Sequence, residues 1–292
     1  MADQEGIQSR LNNIRSVEPI LEAMRTISMG SWQAALKRHR FLGRYSEQLA
    51  GILSVLGPRL GTRKPRRAHA HVGKIEALVI GSERGLCGAY NSTLVQYADP
   101  VLDGYAAAGQ EIHLSALGSR AKRGLERSGR TLDWFRPLPM TSLPPVDLAN
   151  ELTLSWLQRY EAYEVDAVYV IYHAYRDSRL YEPVATRLIP PSLPAPSGGD
   201  PSWPAPYVDA NPVDLYRRLV RLWTVSEMYR ILLSSTASEH STRFQLMEGA
   251  TQNTQRLTQE LTLALQSVRQ RAITAEMLDL AAGAGMLGGQ SQ

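Results

Sequence analysis

The sequence predicts an α/β fold in which two long terminal helices pair as an antiparallel coiled coil around an inserted α/β domain. Three observations predict it. An apolar row recurs at a seven-residue step near the N-terminus, a long stretch near the C-terminus contains no proline, and strand and helix signals alternate between them.

From about Gln4 to Leu56 the row reads Ile7, Ile14, Leu21, Ser28, Ala35, Leu42, Leu49 and Leu56. Only a helix keeps that spacing on one face. At about 1.5 Å per residue it would reach roughly 80 Å, so it needs a partner along its length. The other end of the chain supplies one. Asn211 and Pro212 give an N-cap and first-turn signal, with Asp214 suited to the positive end of the helix dipole. From Val213 to Ala282 only Gly249 interrupts, while Leu215, Leu219, Leu232, Leu246, Leu261, Val268 and Met277 keep a helical spacing. Both stripes are buried if the helices pair antiparallel with a seven-residue register. Several short helices in a bundle are the alternative, but the turn signals that a bundle needs are missing.

Between the helices, "KIEALVIG", "EIHLSALG" and "AVYVIYHAY" read as strands, and "LYEPVATRLIP" as an edge strand that tolerates Pro183. The segments beginning at Asn91, Ser119 and Val146 read as helices, with Pro100 expected to kink or break the first. These alternating elements predict a small Rossmann-like α/β layer structure. Its borders are the basic loop 57–73 and the proline-rich segment 190–212. The expected division is therefore an N-terminal coiled-coil helix over 1–57, the α/β domain over 74–191 and a C-terminal coiled-coil helix over 211–287.

Composition narrows the function classes. The 292 residues carry 32 basic and 28 acidic side chains, net +4, which falls short of a dedicated nucleic-acid binder. Cys87 is the only cysteine, so an intrachain disulfide and a cysteine-cluster metal site are excluded. No secretory signal and no apolar run of about 20 residues is present, which predicts a soluble or peripheral chain.

The stretch "GSERGLCGAYNSTL" (81–94) follows a strand and enters a helix, as phosphate-binding loops do. It lacks their chemistry. Gly88 is followed by Ala89 and Tyr90 rather than Lys and Ser or Thr, so neither phosphate grip nor magnesium ligand is present. Gly81, Gly85 and Gly88 miss the dinucleotide spacing, and the second strand ends at Gly118 and Ser119 without a carboxylate for ribose. The expected alternative is a tight turn, with Gly85 and Gly88 at positive φ, Asn91 capping the next helix and Cys87 packed. His69 and His71 suggest at most a metal pair in a loop that is more simply solvated. Glu83, Asp166, Asp177 and Glu182 are not brought together by any spacing, and "KRHR" (37–40) reads as a charged helix face. No catalytic residue, cofactor site or metal site is assigned, although a nucleotide-dependent α/β enzyme or a free-standing coiled-coil adaptor remain alternatives.

Three segments carry a family resemblance over essentially the whole chain. "IQSRLNNIRSVEPILEAM", "SERGLCGAYN", and "SEHSTRFQLMEGATQN" followed by "RQRAITAEMLDLAAGAGML" resemble the gamma subunit of F-type ATP synthases, the central rotor shaft. The resemblance implies a shaft inside a hexamer of alpha and beta subunits, with the α/β domain beside the epsilon subunit and the c-ring. It implies a non-catalytic part of a proton- or sodium-transporting complex, peripheral on the cytoplasmic side of the inner membrane in a bacterium. Nucleotide chemistry would belong to the beta subunits.

Arg269 and Gln270 match the positions that contact a beta-subunit loop, where Arg's fixed fork suits a carboxylate or carbonyl; Thr274 and Glu276 continue that block. Met24 and the apolar tail from Met277 would sit in the sleeve at the top of the hexamer. Ser28, Gly30, Ser31, Ala34 and Ala35 would let the helices approach closely. Arg84, Trp203 and Tyr207 would face epsilon and the c-ring. The chain departs from the family at Pro19, Leu21 and Glu22, where basic residues are usual, which suggests a divergent or alternative-ATPase paralogue. Pro19 also predicts a kink, or a helix that effectively begins there, because the ring removes a hydrogen bond and crowds the carbonyl of Arg15.

Overall fold

A computed structural model of the chain describes residues 2–56, 73–140, 142–178, 180–191 and 209–288. The elements are α1 (Ala2–Leu56), β1 (Lys74–Ile80), α2 (Tyr90–Ala107), β2 (Glu111–Leu117), α3 (Ser119–Arg127), β3 (Trp134–Arg136), α4 (Val146–Glu161), β4 (Ala167–Tyr175), β5 (Tyr181–Ile189) and α5 (Pro212–Gly288). They form two compact units. One spans Ile27–Arg243, and the other joins the described residues up to Thr26 with those from Phe244 onward.

In the larger unit a five-stranded sheet runs β3-β2-β1-β4-β5, parallel except for β5, which pairs antiparallel with β4 at the edge. Pro183 sits in this edge strand, where a missing N–H is tolerated. β1 is central and buried on both faces, which explains its continuous apolar run. Its alternate side chains divide the core. Leu78 and Ile80 pack with Trp156 of α4, Ala35 of α1 and Met228 and Ile231 of α5, whereas Ala77 and Val79 pack with Leu94 and Ala98 of α2 and Leu125 of α3. Thus α1 and α5 form part of one face of the α/β layer.

The seven-residue row of α1 behaves as its spacing predicts: Ser28, Ala35, Leu49 and Leu56 are buried and Ile7, Ile14, Leu21 and Leu42 half-buried. Leu49, Leu53 and Leu56 cluster with Leu219 and its neighbours at the start of α5. Asn211 caps α5 through Oδ1, which accepts the Val213 N–H at 3.0 Å.

Several expectations are corrected. α1 continues through Pro19 without a break, so the helix does not begin there. Likewise α2 runs through Pro100 as one helix. In each case the ring forfeits one backbone hydrogen bond, which the intact turns on either side accommodate. Of Ser28, Gly30, Ser31, Ala34 and Ala35, only Ser28 and Ala35 are buried; Ser31 is half-buried, Gly30 and Ala34 are exposed, and nothing stands within 4 Å of a Cβ added at Gly30. Within that group close approach rests on two positions of the heptad row, and further along the helix Ser46 meets Ser226 of α5 at 2.9 Å. The strand β3 is unforeseen, because three residues flanked by a turn and Pro137 give no periodic signal.

Candidate functional site

The turn between β1 and α2, in the larger unit, is closed by its own side chains. Asn91 Oδ1 accepts the Ser82 N–H at 3.0 Å, and its Nδ2 donates to Ser82 Oγ at 2.8 Å and Cys87 Sγ at 3.3 Å. Asn91 therefore ties the turn together rather than capping α2, whose N-cap position is Ala89. Leu86, not Gly85, takes the left-handed conformation together with Gly88, at φ 63° and 55°. Gly118 is required here, since a Cβ at its φ of 89° would stand 2.5 Å from the Gly81 carbonyl.

The N-terminus of α3 beside this turn already holds an anion. The Glu83 carboxylate accepts the Ser119 N–H at 3.1 Å, the Ser119 hydroxyl and the Leu138 N–H at 2.9 Å. Burial opposes its charge, but these hydrogen bonds and the nearby Arg123 outweigh burial and hold its pKa below the usual range. The helix dipole is thus satisfied internally.

α5 grips the turn from the other side. Arg243 donates to the carbonyls of Gly85 and Arg84 at 3.3 and 3.4 Å and pairs with Glu239 at 2.5 Å. Both side chains are nearly buried, 6% and 12% exposed. Burial raises the Glu239 pKa despite Arg243, and burial likewise raises that of the Cys87 thiol. Nearby, the Tyr90 hydroxyl bonds Ser235 at 3.0 Å, Ser238 Oγ donates to the His173 carbonyl at 3.2 Å, and His173 Nε2 lies 2.7 Å from the Tyr90 carbonyl. Desolvation lowers His173 to about 4, so its imidazole is neutral near pH 7. Small side chains at Ser234, Ser235, Ser238 and Ser241 bring the helix this close to the sheet, and all four are buried.

The smaller unit presents a different surface. The Arg25 guanidinium bonds Glu248 at 2.6 Å, which fixes the antiparallel register and brings Ala2 level with roughly Arg271. Arg269, Gln270, Thr274 and Glu276 are all exposed on α5 at or beyond that level. Ile273, Met277, Leu278 and Leu280 among them are at least 57% exposed. Arg269, Ile273 and Glu276 fall on one helix face by their spacing of four and three; Thr274 Oγ1 instead turns back to the Gln270 carbonyl at 2.8 Å. Met24 is half-buried on α1 beside the Arg25 level, roughly 30 Å along the pair from Arg269 at 1.5 Å per residue. Met24 and the Arg269 block therefore stand at different levels of the pair, whereas the apolar tail from Met277 continues that block directly.

Arg84 is exposed at the tip of the turn, beside the exposed Leu86. Trp203, Tyr207, His69 and His71 lie outside the described residues. Sequence reasoning assigned no role to Glu239, Arg243, His173 or Tyr90. The signal for the first two was an acidic residue four positions before an arginine within a serine-rich helix segment; the other two become neighbours only through the sheet. Among the described residues no group of acidic, histidine or cysteine side chains is placed to hold a metal ion, and no helix is long and apolar enough to cross a membrane.

Comparison with known proteins places this architecture. Residues 3–287 match the ATP synthase family. The ATP synthase gamma chain of Variovorax paradoxus is 31% identical over 300 residues, covering 99% of this chain and 100% of that one. The gamma chain of Herpetosiphon aurantiacus is 27% identical, over 98% and 99% of the two chains. Among solved structures, a chain of the Euglena gracilis mitochondrial ATP synthase aligns with a TM-score of 0.62 at 12% identity, covering 100% of this chain and 97% of that one. A chain of the Tetrahymena thermophila mitochondrial ATP synthase central stalk and c-ring aligns at 0.58 and 20% identity, over 79% and 99%.

Proposed function

The chain belongs to the gamma chains of the ATP synthase family, and from that premise we propose that it is the central rotor shaft of a membrane-bound F-type ATP synthase. The observation that carries this reading is the paired α1 and α5, whose α5 end presents a bare stripe, around an α/β sheet that offers no assembled catalytic group among the described residues. The chain is a non-catalytic subunit and couples ion-driven rotation to the nucleotide sites of the beta subunits. An asymmetric shaft does so by contacting each beta subunit differently at each angle, and so shifting the equilibrium between its conformations.

Arg269 and Gln270 contact a beta-subunit loop, with Thr274 and Glu276 on the adjoining surface. An exposed guanidinium with no carboxylate partner among the described residues suits that role. Met24 serves a separate contact lower on the helical pair. Arg84 at the turn tip, with Trp203 and Tyr207, serves contacts with the epsilon subunit and the c-ring. The division of labour follows the segments 1–57, 74–191 and 211–287. The complex sits on the cytoplasmic face of a bacterial inner membrane, with this chain peripheral to it.

The test is isolation of the native complex through an affinity tag on this chain under conditions that preserve it. Recovery of alpha, beta and epsilon chains with ATP hydrolysis supports the shaft; their absence sinks it. Within a recovered complex, Arg269→Ala is expected to lower hydrolysis while leaving assembly intact. Unchanged hydrolysis removes Arg269 from the beta contact.

A further inference from the structure

A groove of about 1040 Å³ opens between the turn after β1, the first turns of α2 and the outer face of α3. Arg120, Arg123 and Arg127 line one wall and Arg84 the other. The three on α3 are spaced by three and four, so they project from one helix face. All four are exposed, and none forms an ion pair among the described residues.

Two acidic side chains also line the groove, and both are committed elsewhere. Glu83 is held by Ser119 and Leu138, and Asp99 pairs with Arg130 at 3.0 Å. Arg123 lends its field to Glu83 without a direct pair. Glu83 keeps its negative charge and offsets part of this field, and the Arg84 guanidinium also donates to Met140 Sδ at 2.9 Å. Four guanidiniums against one carboxylate without an ion-pair partner therefore leave the groove with a net positive charge. On the inner side Gly124 packs against Val95, and the Arg120 guanidinium lies against Gly85, where an added Cβ would stand 3.1 Å from it. The wall is thus fixed where Arg120 leaves it.

We propose that this groove is a binding site for a condensed phosphate chain of the triphosphate class. The planar fork of arginine matches phosphate oxygens in pairs. From Arg120 to Arg127 the row spans about 10 Å at 1.5 Å per residue, a reach suited to an extended oligoanion rather than a single phosphate. Among the described residues no aromatic side chain lines the groove, and these residues offer no platform for stacking a nucleobase. Leu86 and Val95 give little apolar surface for the buried anchors on which a docked acidic peptide depends. Arg84 is shared with the epsilon and c-ring contact proposed above, whereas Arg120, Arg123 and Arg127 belong to no contact proposed there, and the site does not depend on the rotor reading.

The test is calorimetric titration of the full chain at low ionic strength with sodium tripolyphosphate, with ATP and with a glutamate-rich peptide of equal charge. One tripolyphosphate is expected to bind per chain, with affinity that weakens steeply as salt is added. The double variant R123Q/R127Q is expected to lose at least tenfold in affinity. The control R217Q/R218Q, which removes two exposed arginines from α5, is expected to stay within twofold. Equal affinities for ATP and tripolyphosphate assign the site to the phosphate chain itself, and ATP tighter by more than tenfold assigns it to a nucleotide tail. No saturable binding, equal losses in both double variants, or a peptide that binds tighter than tripolyphosphate would overturn the proposal. Unchanged thermal melting of the variants shows that lost binding is not lost folding.

Discussion

The turn at 81–91 and the α5 stretch from Arg269 to Glu276 both carry the family resemblance, yet physically they are opposites. Nearly every polar group of the turn is engaged within the chain: Asn91 bonds Ser82 and Cys87, Glu83 holds the start of α3, and Arg243 clasps the carbonyls of residues 84 and 85. The helical stretch makes only local bonds on its own helix, from Thr274 to the Gln270 carbonyl and from Arg271 to Ser267. A family pattern can thus record internal architecture or outward contact, and only burial and hydrogen bonding tell the two apart.

The comparison is broken most directly at Arg243. Arg243→Met leaves Glu239 buried without its partner and two turn carbonyls unmet, and is expected to cost about 3–5 kcal/mol in denaturant unfolding. A loss below 1 kcal/mol would show that the clasp does not hold the turn. Next comes pH. His173 titrates near 4 in the folded chain, below the ordinary imidazole value of about 6.5. The unfolded chain therefore binds the extra proton first as pH falls, and stability present above pH 6.5 drains away toward pH 4. The contribution is on the order of 3 kcal/mol; His240, which burial and then Arg243 also lower to about 4, acts over the same window, so His173→Gln should make the fall in unfolding free energy shallower without abolishing it.

A smaller effect is expected at Leu86, which is 58% exposed and held at φ 63°. Leu86→Gly relieves a left-handed strain of about 1–2 kcal/mol and adds roughly 0.5–1 kcal/mol of chain entropy to the unfolded state. The net is a stabilisation of up to about 1.5 kcal/mol, read as a raised melting temperature. Smallest of all, Arg269→Ala and Thr274→Ala should change unfolding of the isolated chain by less than about 0.5 kcal/mol. A large change there would mean that the stretch has an internal role.

How far the sequence reached follows from what each signal measures. The heptad row from Ile7 to Leu56 and the apolar runs of β1 and β4 report burial of one face or of both, so the helices and four strands were legible. Asn91 was read as a cap because Ser, Thr, Asn and Asp near a helix start are commonly caps; its actual partners, Ser82 and Cys87, depend on the closure of the turn. Local sterics predict a kink or a helix start at Pro19 and a kink or break at Pro100; the helices continue through both, which overturns the start and the break. The clasp between Arg243 and the turn joins residues about 158 positions apart, and no local pattern encodes that distance. The Arg269 block was legible only through resemblance, since an exposed helix face carries no folding signal of its own.

The pairing of α1 with α5 has a consequence for how the chain is made. α1 leaves the ribosome first, and the helix that covers its Leu49–Leu56 row begins only at Pro212, about 155 residues later. At roughly 5–20 residues per second, that row waits some 8–30 s for its partner while the sheet between them is synthesised. During that interval the apolar row of α1 has no α5 to cover it, so the last step of burying the Leu49–Leu56 face falls to the end of synthesis rather than its beginning.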